Sequence, residues 1–157
     1  MVRRGFTGKE VCLSKLQTFL VLLILYFIHI FGDGGELYLL VNEGDLLVLR
    51  SVNSYTFMPT EDYLVFRHGT LLFWGEKTFL GGPANPSEKD KRAISCEDGS
   101  FLFYGNPVAL PNPIYVRVDQ RYKNELIFRG KSYNLCRYVK KKTVVKIGIV
   151  KVRGMKE

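Results

Sequence analysis

Cysteine and histidine are the side chains with the widest chemistry, and this 157-residue chain has three of the first and two of the second. Cys96 and Cys136 enclose a loop of about 40 residues, and a bridge between them would add about 3–4 kcal/mol of stability. Sequence separation does not fix the distance between their Cα atoms, so this disulfide stays open. No spacing of Cys and His matches a metal site. No glycine-rich phosphate loop occurs either, so we predict no metal and no cofactor.

The net charge of +8 is concentrated at the C-terminus, because residues 121–157 hold twelve Lys or Arg and two Glu. Such a tail suits an anionic partner, for example lipid headgroups, nucleic acid or an acidic protein surface. The alternative, which we favour, is a solvated strand with lysines that protect a sheet edge from aggregation. The tail carries no recognisable nucleic-acid-binding motif, so the sequence argues against a nucleic-acid partner.

The elements that would position any site are short strands, since the region after residue 33 is rich in Phe, Tyr, Val and Leu. Turn residues separate runs of strand type, and residues 81–92 form a loop. The predicted strands are 36–41, 45–52, 63–67, 70–74, 100–104, 114–118, 125–128 and 143–152. We therefore predict a mainly β, antiparallel domain, either barrel-like or a coiled sandwich.

An uncharged apolar segment, Leu16–Phe31, precedes this β region. With its flanks it has about the length of a transmembrane helix. Basic residues precede it and acidic residues follow it, so the positive-inside rule places the N-terminus in the cytoplasm. We therefore expect a cytoplasmic segment at 1–15, a lipid-embedded anchor at 16–33 and an extracytoplasmic domain at 34–157. A cleaved signal peptide and a buried helix are the alternatives.

A second signal lies upstream of that segment. Gly5, Phe6 and Thr7, with Glu10 shortly after, resemble the processing site of type IV pilins, in which a basic leader is cut after Gly. Polar residues then follow where pilins continue with apolar ones. A pilin-like structural subunit is therefore an alternative interpretation.

Three stretches, taken in order, resemble the signal peptidase I family, most closely its short branch that processes conjugative pilins. The first stretch, residues 53–63, contains Met58, Pro59 and Tyr63, which match the nucleophile box. The second, residues 91–108, begins with Lys91-Arg92 before a strand, a turn and another strand.

The third stretch, residues 128–138, ends in Arg137-Tyr138 and precedes a strand that carries Gly148. In the family a Ser hydroxyl attacks the substrate and a neutral Lys amine acts as base. The resemblance assigns the base to Lys91, with Arg92, Arg137 and Tyr138 as structural positions of the boxes.

The nucleophile position departs from the family pattern. Depending on the alignment it falls on Phe57, which has no hydroxyl, or on Thr56, with Ser54 as a more distant candidate. The family's Asp and Ser in the third stretch are replaced by Leu135 and Cys136. The resemblance therefore implies a degenerate peptidase, with weak or lost catalysis, whose substrate would lie against Phe57, Met58, Pro59 and Tyr63.

The function that follows from this resemblance is to cleave or bind secreted or pilin precursors, in contact with subunits of a secretion or conjugation apparatus. A non-catalytic relative would still bind an extended peptide by strand addition. An unrelated extracytoplasmic β domain that acts as a binding module is the other alternative.

Overall fold

The computed structural model describes residues 22–52, 57–79, 92–141 and 143–155. These residues form eleven strands and one short 3-10 helix, Leu135–Tyr138. The strands are β1 (Leu22–Gly32), β2 (Gly35–Val41), β3 (Leu46–Val52), β4 (Pro59–Arg67), β5 (Thr70–Thr78), β6 (Arg92–Ser95), β7 (Phe101–Ala109), β8 (Ile114–Arg117), β9 (Glu125–Phe128), β10 (Lys131–Asn134) and β11 (Val144–Met155).

The strands make two antiparallel sheets. The smaller has the order β2-β1-β11-β8, and the larger has the order β10-β9-β3-β4-β5-β7-β6. Side chains from both sheets form one core, because alternate residues of each strand point inward. Its fully buried members include Ile28, Ile30, Leu47, Leu64, Phe66, Leu126, Val145 and Ile147. The prediction of a mainly β, antiparallel domain is therefore confirmed.

The predicted transmembrane helix is wrong, because its second half is the central strand β1. Residues Leu22–Phe31 pair with β11 on one side, and Tyr26–Gly32 pair with β2 on the other. A central strand can carry apolar residues on both faces when both faces of its sheet are covered. Its sequence is then a continuous apolar run, like the sequence of a helix in lipid. The part of the predicted anchor before residue 22 lies outside the described residues.

The location predicted from that helix is corrected with it. Within the described residues, no helix has the length and apolarity that a membrane crossing requires. The prediction of a single-pass membrane protein with a helical anchor at 16–33 is therefore not supported. Residues 22–32 belong to the β domain, since β1 contributes Ile28 and Ile30 to its core.

The turn between β1 and β2 is fastened to the segment that follows the 3-10 helix. The amide of Gly34 donates to the carbonyl oxygen of Tyr138 at 2.9 Å. The carboxylate of Asp33 accepts hydrogen bonds from the backbone amides of Lys140 at 2.8 Å and Lys141 at 2.9 Å. A carboxylate that accepts two amides ties two chain segments together without secondary structure between them.

We expect Asp33→Ala to lower the free energy of unfolding by about 1 kcal/mol, because the amides of Lys140 and Lys141 lose this acceptor. Asp33→Asn should lose less, because its amide oxygen can still accept one of the two bonds. Urea denaturation of both variants and the wild type measures the difference. Equal stabilities for Asp33→Ala and the wild type would contradict this role.

Candidate functional site

The predicted catalytic residues Ser54, Thr56 and Lys91 lie outside the described residues. Their chain neighbours are placed: β3 ends at Val52, and β6 begins at Arg92. The Ser or Thr with Lys dyad therefore stays a prediction.

Of the four predicted substrate-binding residues, Phe57 and Met58 lie just before β4, and Pro59 and Tyr63 lie within it. Phe57 is 66% exposed and has a φ of 57°, in the left-handed region that favours glycine. Met58 follows it on the surface, and Pro59 is the first residue of β4. Tyr63 lies within β4 and donates its hydroxyl hydrogen to Glu61 at 2.8 Å.

A row of alternating charges crosses the outer face of the larger sheet beside Pro59. We call it the charge ladder: Glu125 on β9, Arg50 on β3, Glu61 on β4, Lys77 on β5 and Asp98 in the β6–β7 turn. Arg50 pairs in register with both Glu61 and Glu125, and Glu61 pairs with Lys77. The guanidinium of Arg50 lies 2.7 Å from Glu61 and 3.7 Å from Glu125, and the Lys77 amine lies 2.7 Å from Asp98.

Contacts within and beside the ladder favour the charged forms of Glu61, Lys77 and Asp98. Burial alone would raise the pKa of Glu61, but the Tyr63 hydroxyl and the Arg50 guanidinium outweigh it, so this pKa lies below its ordinary value. Hydrogen bonds from Lys77 and Ser100 hold the pKa of Asp98 well below its usual range. The hydrogen bond to Asp98 in turn raises the pKa of Lys77. At neutral pH this amine is therefore protonated and cannot act as a general base.

Three aromatic rings continue the same face next to the ladder. This aromatic row consists of Tyr63, Trp74 and Tyr104, with ring centroids 6.0 Å apart for the first pair and 5.9 Å for the second. Trp74 lies where the β4–β5 pairing shifts register, and it is 36% exposed. Gly75 lets β7 approach here, because a Cβ at this position would lie 2.6 Å from the carbonyl oxygen of Phe103.

A pocket of about 330 Å³ opens at the ladder. Its walls are Arg50, Pro59, Glu61, Lys77, Phe79 and Asp98. Most polar groups of its described residues are already joined to each other, so this described lining is polar but close to neutral. It offers hydrogen bonding and apolar contact and, among the described residues, no unpaired charge that selects an ion.

The second predicted stretch lies at the edge of the same sheet. A line of paired residues crosses the sheet from β6 to β4. Arg92 on β6 pairs with Tyr104 on β7, and Tyr104 pairs with Gly75 on β5. Gly75 in turn pairs with Tyr63 on β4. At about 4.8 Å between neighbouring strands, Arg92 is about 14 Å from Tyr63 across the sheet. The first and second stretches therefore share a sheet but are separated by β5 and β7.

The third predicted stretch lies away from this face, around the 3-10 helix. Arg137 and Tyr138 are the last two residues of that helix. The carbonyl oxygen of Tyr138 accepts the hydrogen bond from the amide of Gly34. Cys96 and Cys136 are both free thiols. The Cys136 thiol donates to the carbonyl oxygen of Asp119 at 3.7 Å, and burial raises its pKa.

Comparisons with known proteins give no relative: no protein-family model, no curated protein and no solved structure matches the chain.

Two residues of this candidate site, Pro59 and Tyr63, are also among those predicted from the sequence, and the others were not predicted. Arg50, Glu61 and Lys77 look like ordinary surface charges, because their partners are distant in the chain. One signal was available: Trp74 is the chain's single tryptophan and precedes a glycine inside a strand, a combination that marks a bulge or a close backbone approach.

Proposed function

We propose that this protein binds an extended polypeptide, of the kind represented by secreted or pilin precursors, on the outer face of its larger sheet. The observation that carries the proposal is the placement of the aromatic row directly beside the pocket at Pro59. The polypeptide would lie along β4 and β5, with one side chain in the pocket and another against Trp74.

The charges of the face favour a polypeptide over an ionic ligand. Arg50, Glu61, Lys77 and Asp98 are joined in pairs, so an ion would have to break an existing pair to bind. Peptide groups are neutral and can share these donors and acceptors. Half-exposed Tyr and Trp rings supply apolar contact at a small cost in side-chain entropy, which is why they are enriched where proteins bind proteins.

Binding in this proposal needs no cleavage. Lys77 lines the pocket but is held protonated by Asp98, so it does not supply the neutral amine that a Ser-Lys mechanism requires. The resemblance to signal peptidases assigns any base to Lys91. We therefore propose a signal-peptidase-like binding protein whose catalysis is weak or lost.

We expect Trp74→Ala to weaken peptide binding about tenfold or more, since truncation of a central aromatic residue commonly costs about 2 kcal/mol or above. The probe is a fluorescein-labelled 15-residue peptide with an apolar segment that ends in Ala-Gln-Ala, titrated with the full chain and followed by anisotropy. In the wild type, the emission of the single tryptophan should shift in the same titration.

Tyr115→Ala is the matched control, because Tyr115 is 65% exposed, lies on the smaller sheet and is not among the residues that line the pocket at Pro59. It should bind the peptide as the wild type does. Equal weakening in Trp74→Ala and Tyr115→Ala, or no binding by the wild type, would refute the proposed face. Mass spectrometry of the incubated peptide tests catalysis: cleavage that is lost in Lys91→Ala would establish a working peptidase instead.

A further inference from the structure

A second cavity, of about 650 Å³, begins at the end of β3, where Val52 lines it and pairs with Pro59 of the first pocket. It is bounded by the end of β3, by the end of β8 with the loop that follows, and by the segment after the 3-10 helix. We call it the basic cleft and define it by Arg117, Arg121, Lys140, Lys141 and Asn124, all of which line it.

The charge of the cleft is strongly positive. Among the described residues, its lining contains those four cations and one acid, Asp119, a balance of four minus one. Asp119 is bound by Arg121, whose Nε and Nη2 donate to it at 3.0 and 2.6 Å. Three positive charges thus remain, on Arg117, Lys140 and Lys141, all on exposed residues. An anion entering the cleft would gain from each of them without displacing the Asp119 pair.

A buried polar residue, Asn124, lines the cleft, and hydrogen bonds hold it in place. Asn124 is only 5% exposed, and its side-chain amide donates to the carbonyl oxygen of Tyr122 at 3.2 Å. Its backbone carbonyl accepts from the amide of Leu135 at 2.8 Å. These bonds order the loop that carries Arg121 and Tyr122, so the cations are presented from a fixed backbone.

Two aromatic rings flank the cations. The ring of Tyr122 lines the cleft, with the Arg121 guanidinium 5.7 Å from its centroid. The ring of Phe57 lies 6.2 Å from that of Tyr122 and is 66% exposed. A bulky residue with positive φ is an outlier that the surrounding structure must maintain. The left-handed backbone of Phe57 therefore presents a large apolar ring to solvent beside a cluster of cations.

We propose that the basic cleft binds single-stranded nucleic acid, with phosphates at Arg117, Lys140 and Lys141 and a base stacked on Phe57. Proteins that bind single strands combine a positive groove for the backbone with aromatic rings for the bases. The exposed ring is what favours a nucleotide over an acidic peptide, whose carboxylates would use the cations only. The concave cleft also suits a flexible strand better than the convex surface of a duplex. Among the described residues, this site shares no lining residue with the pocket at Pro59, and its test uses other variants, so the two proposals can fail separately.

The test is a titration of fluorescein-labelled dT12 with the full chain at 50 mM salt, followed by anisotropy. The double variant Lys140→Ala, Lys141→Ala should weaken binding about tenfold or more. It should also lower the slope of log affinity against log salt by about 1.4, since each phosphate contact on a single strand contributes about 0.7. The backbone amides that bind Asp33 are kept in this variant.

The matched control is the double variant Lys131→Ala, Lys151→Ala, which removes the same charge from exposed lysines on β10 and β11. It should change the affinity less than twofold. Phe57→Ala should weaken dT12 binding about fivefold or more, whereas Phe57→Tyr keeps a stacking surface and should bind as the wild type.

Any one of the following results would overturn the proposal. They are absence of dT12 binding at 50 mM salt, equal weakening by the two lysine double variants, and competition by a twelve-residue polyglutamate as strong as that by unlabelled dT12. Competition by adenosine monophosphate at micromolar concentration would also overturn it, because it would identify a free nucleotide rather than a strand as the ligand.

Discussion

Gly32→Ala should be the most destabilising Gly→Ala substitution in the described part of this chain. We expect the added methyl group to lower the free energy of unfolding by about 3–5 kcal/mol. A Cβ at Gly32 would overlap the carbonyl oxygen of Tyr138, closer than any real contact. That oxygen is part of the backbone and accepts a hydrogen bond from Gly34 at 2.9 Å. Relief of the clash therefore requires the β1–β2 turn to separate from the chain after the 3-10 helix.

Gly99→Ala is the control for Gly32→Ala. Gly99 has a φ of 79°, and a Cβ added there would meet no atom within 4 Å, so alanine costs only backbone strain. That strain amounts to about 1–2 kcal/mol. Urea denaturation of both variants measures the difference. A folded Gly32→Ala protein with the same loss as Gly99→Ala would show that the two segments do not approach as closely as the structure places them.

Asp62→Asn should stabilise the protein at pH 8 by about 2 kcal/mol and leave its stability nearly unchanged at pH 4. Asp62 lies between the sheets, in a cavity of about 320 Å³ that it shares with Leu64 and Ile114. Burial, with the charge of Glu76 opposite it on β5, raises the pKa of Asp62 from 3.8 to about 6.

The direction of the pH dependence follows from the number of protons that Asp62 binds in the folded and unfolded states. Between about pH 4 and pH 6 the folded state binds a proton at Asp62 that the unfolded state has released, so stability falls as the pH rises through this range. Above pH 6 the folded state carries the full cost of a poorly solvated carboxylate, about 2–3 kcal/mol for a shift of this size. Asparagine has a similar shape and no charge, so it removes that cost only where the aspartate would be ionised.

Two variants control for the Asp62→Asn result. Glu76→Gln removes the neighbouring charge but leaves the burial of Asp62, so it should stabilise less at pH 8. Asp119→Asn should not stabilise at pH 8, because hydrogen bonds from Arg121 lower the pKa of Asp119 to about 2 and its ionised form favours folding. Thermal melts at pH 4 and pH 8 measure all three variants. Equal stabilisation by Asp62→Asn at both pH values would contradict the raised pKa of Asp62.

The sequence by itself determined the strands that alternate apolar and polar residues between clear turn signals. β9 was predicted with its observed bounds, Glu125–Phe128, and the turn at His68-Gly69 takes the left-handed backbone at both residues. Two short strands, β6 and β10, were missed. Their sequences, RAIS and KSYN, are largely exposed and carry no alternation, and only pairing with a longer neighbour makes them strands.

Tertiary structure decided the state of residues 22–32. A run that is apolar on every face suits a helix in lipid and a central strand equally, because each removes most of the apolar surface of its side chains from water. The choice depends on whether partner strands are present. Here β2 and β11 pair with β1, and the second of these lies more than one hundred residues away in the chain.

Tertiary structure also decided what the polar residues do. Arg50, Glu61, Lys77 and Glu125 become one charge ladder only because the sheet order places β9, β3, β4 and β5 side by side. The basic cleft likewise joins the end of β3 to loops some 65 to 90 residues further along the chain. Local patterns encode whether a segment is a strand, whereas electrostatic pairs and clefts depend on contacts between distant segments. That is why most of the fold was readable from the sequence and most of the candidate site was not.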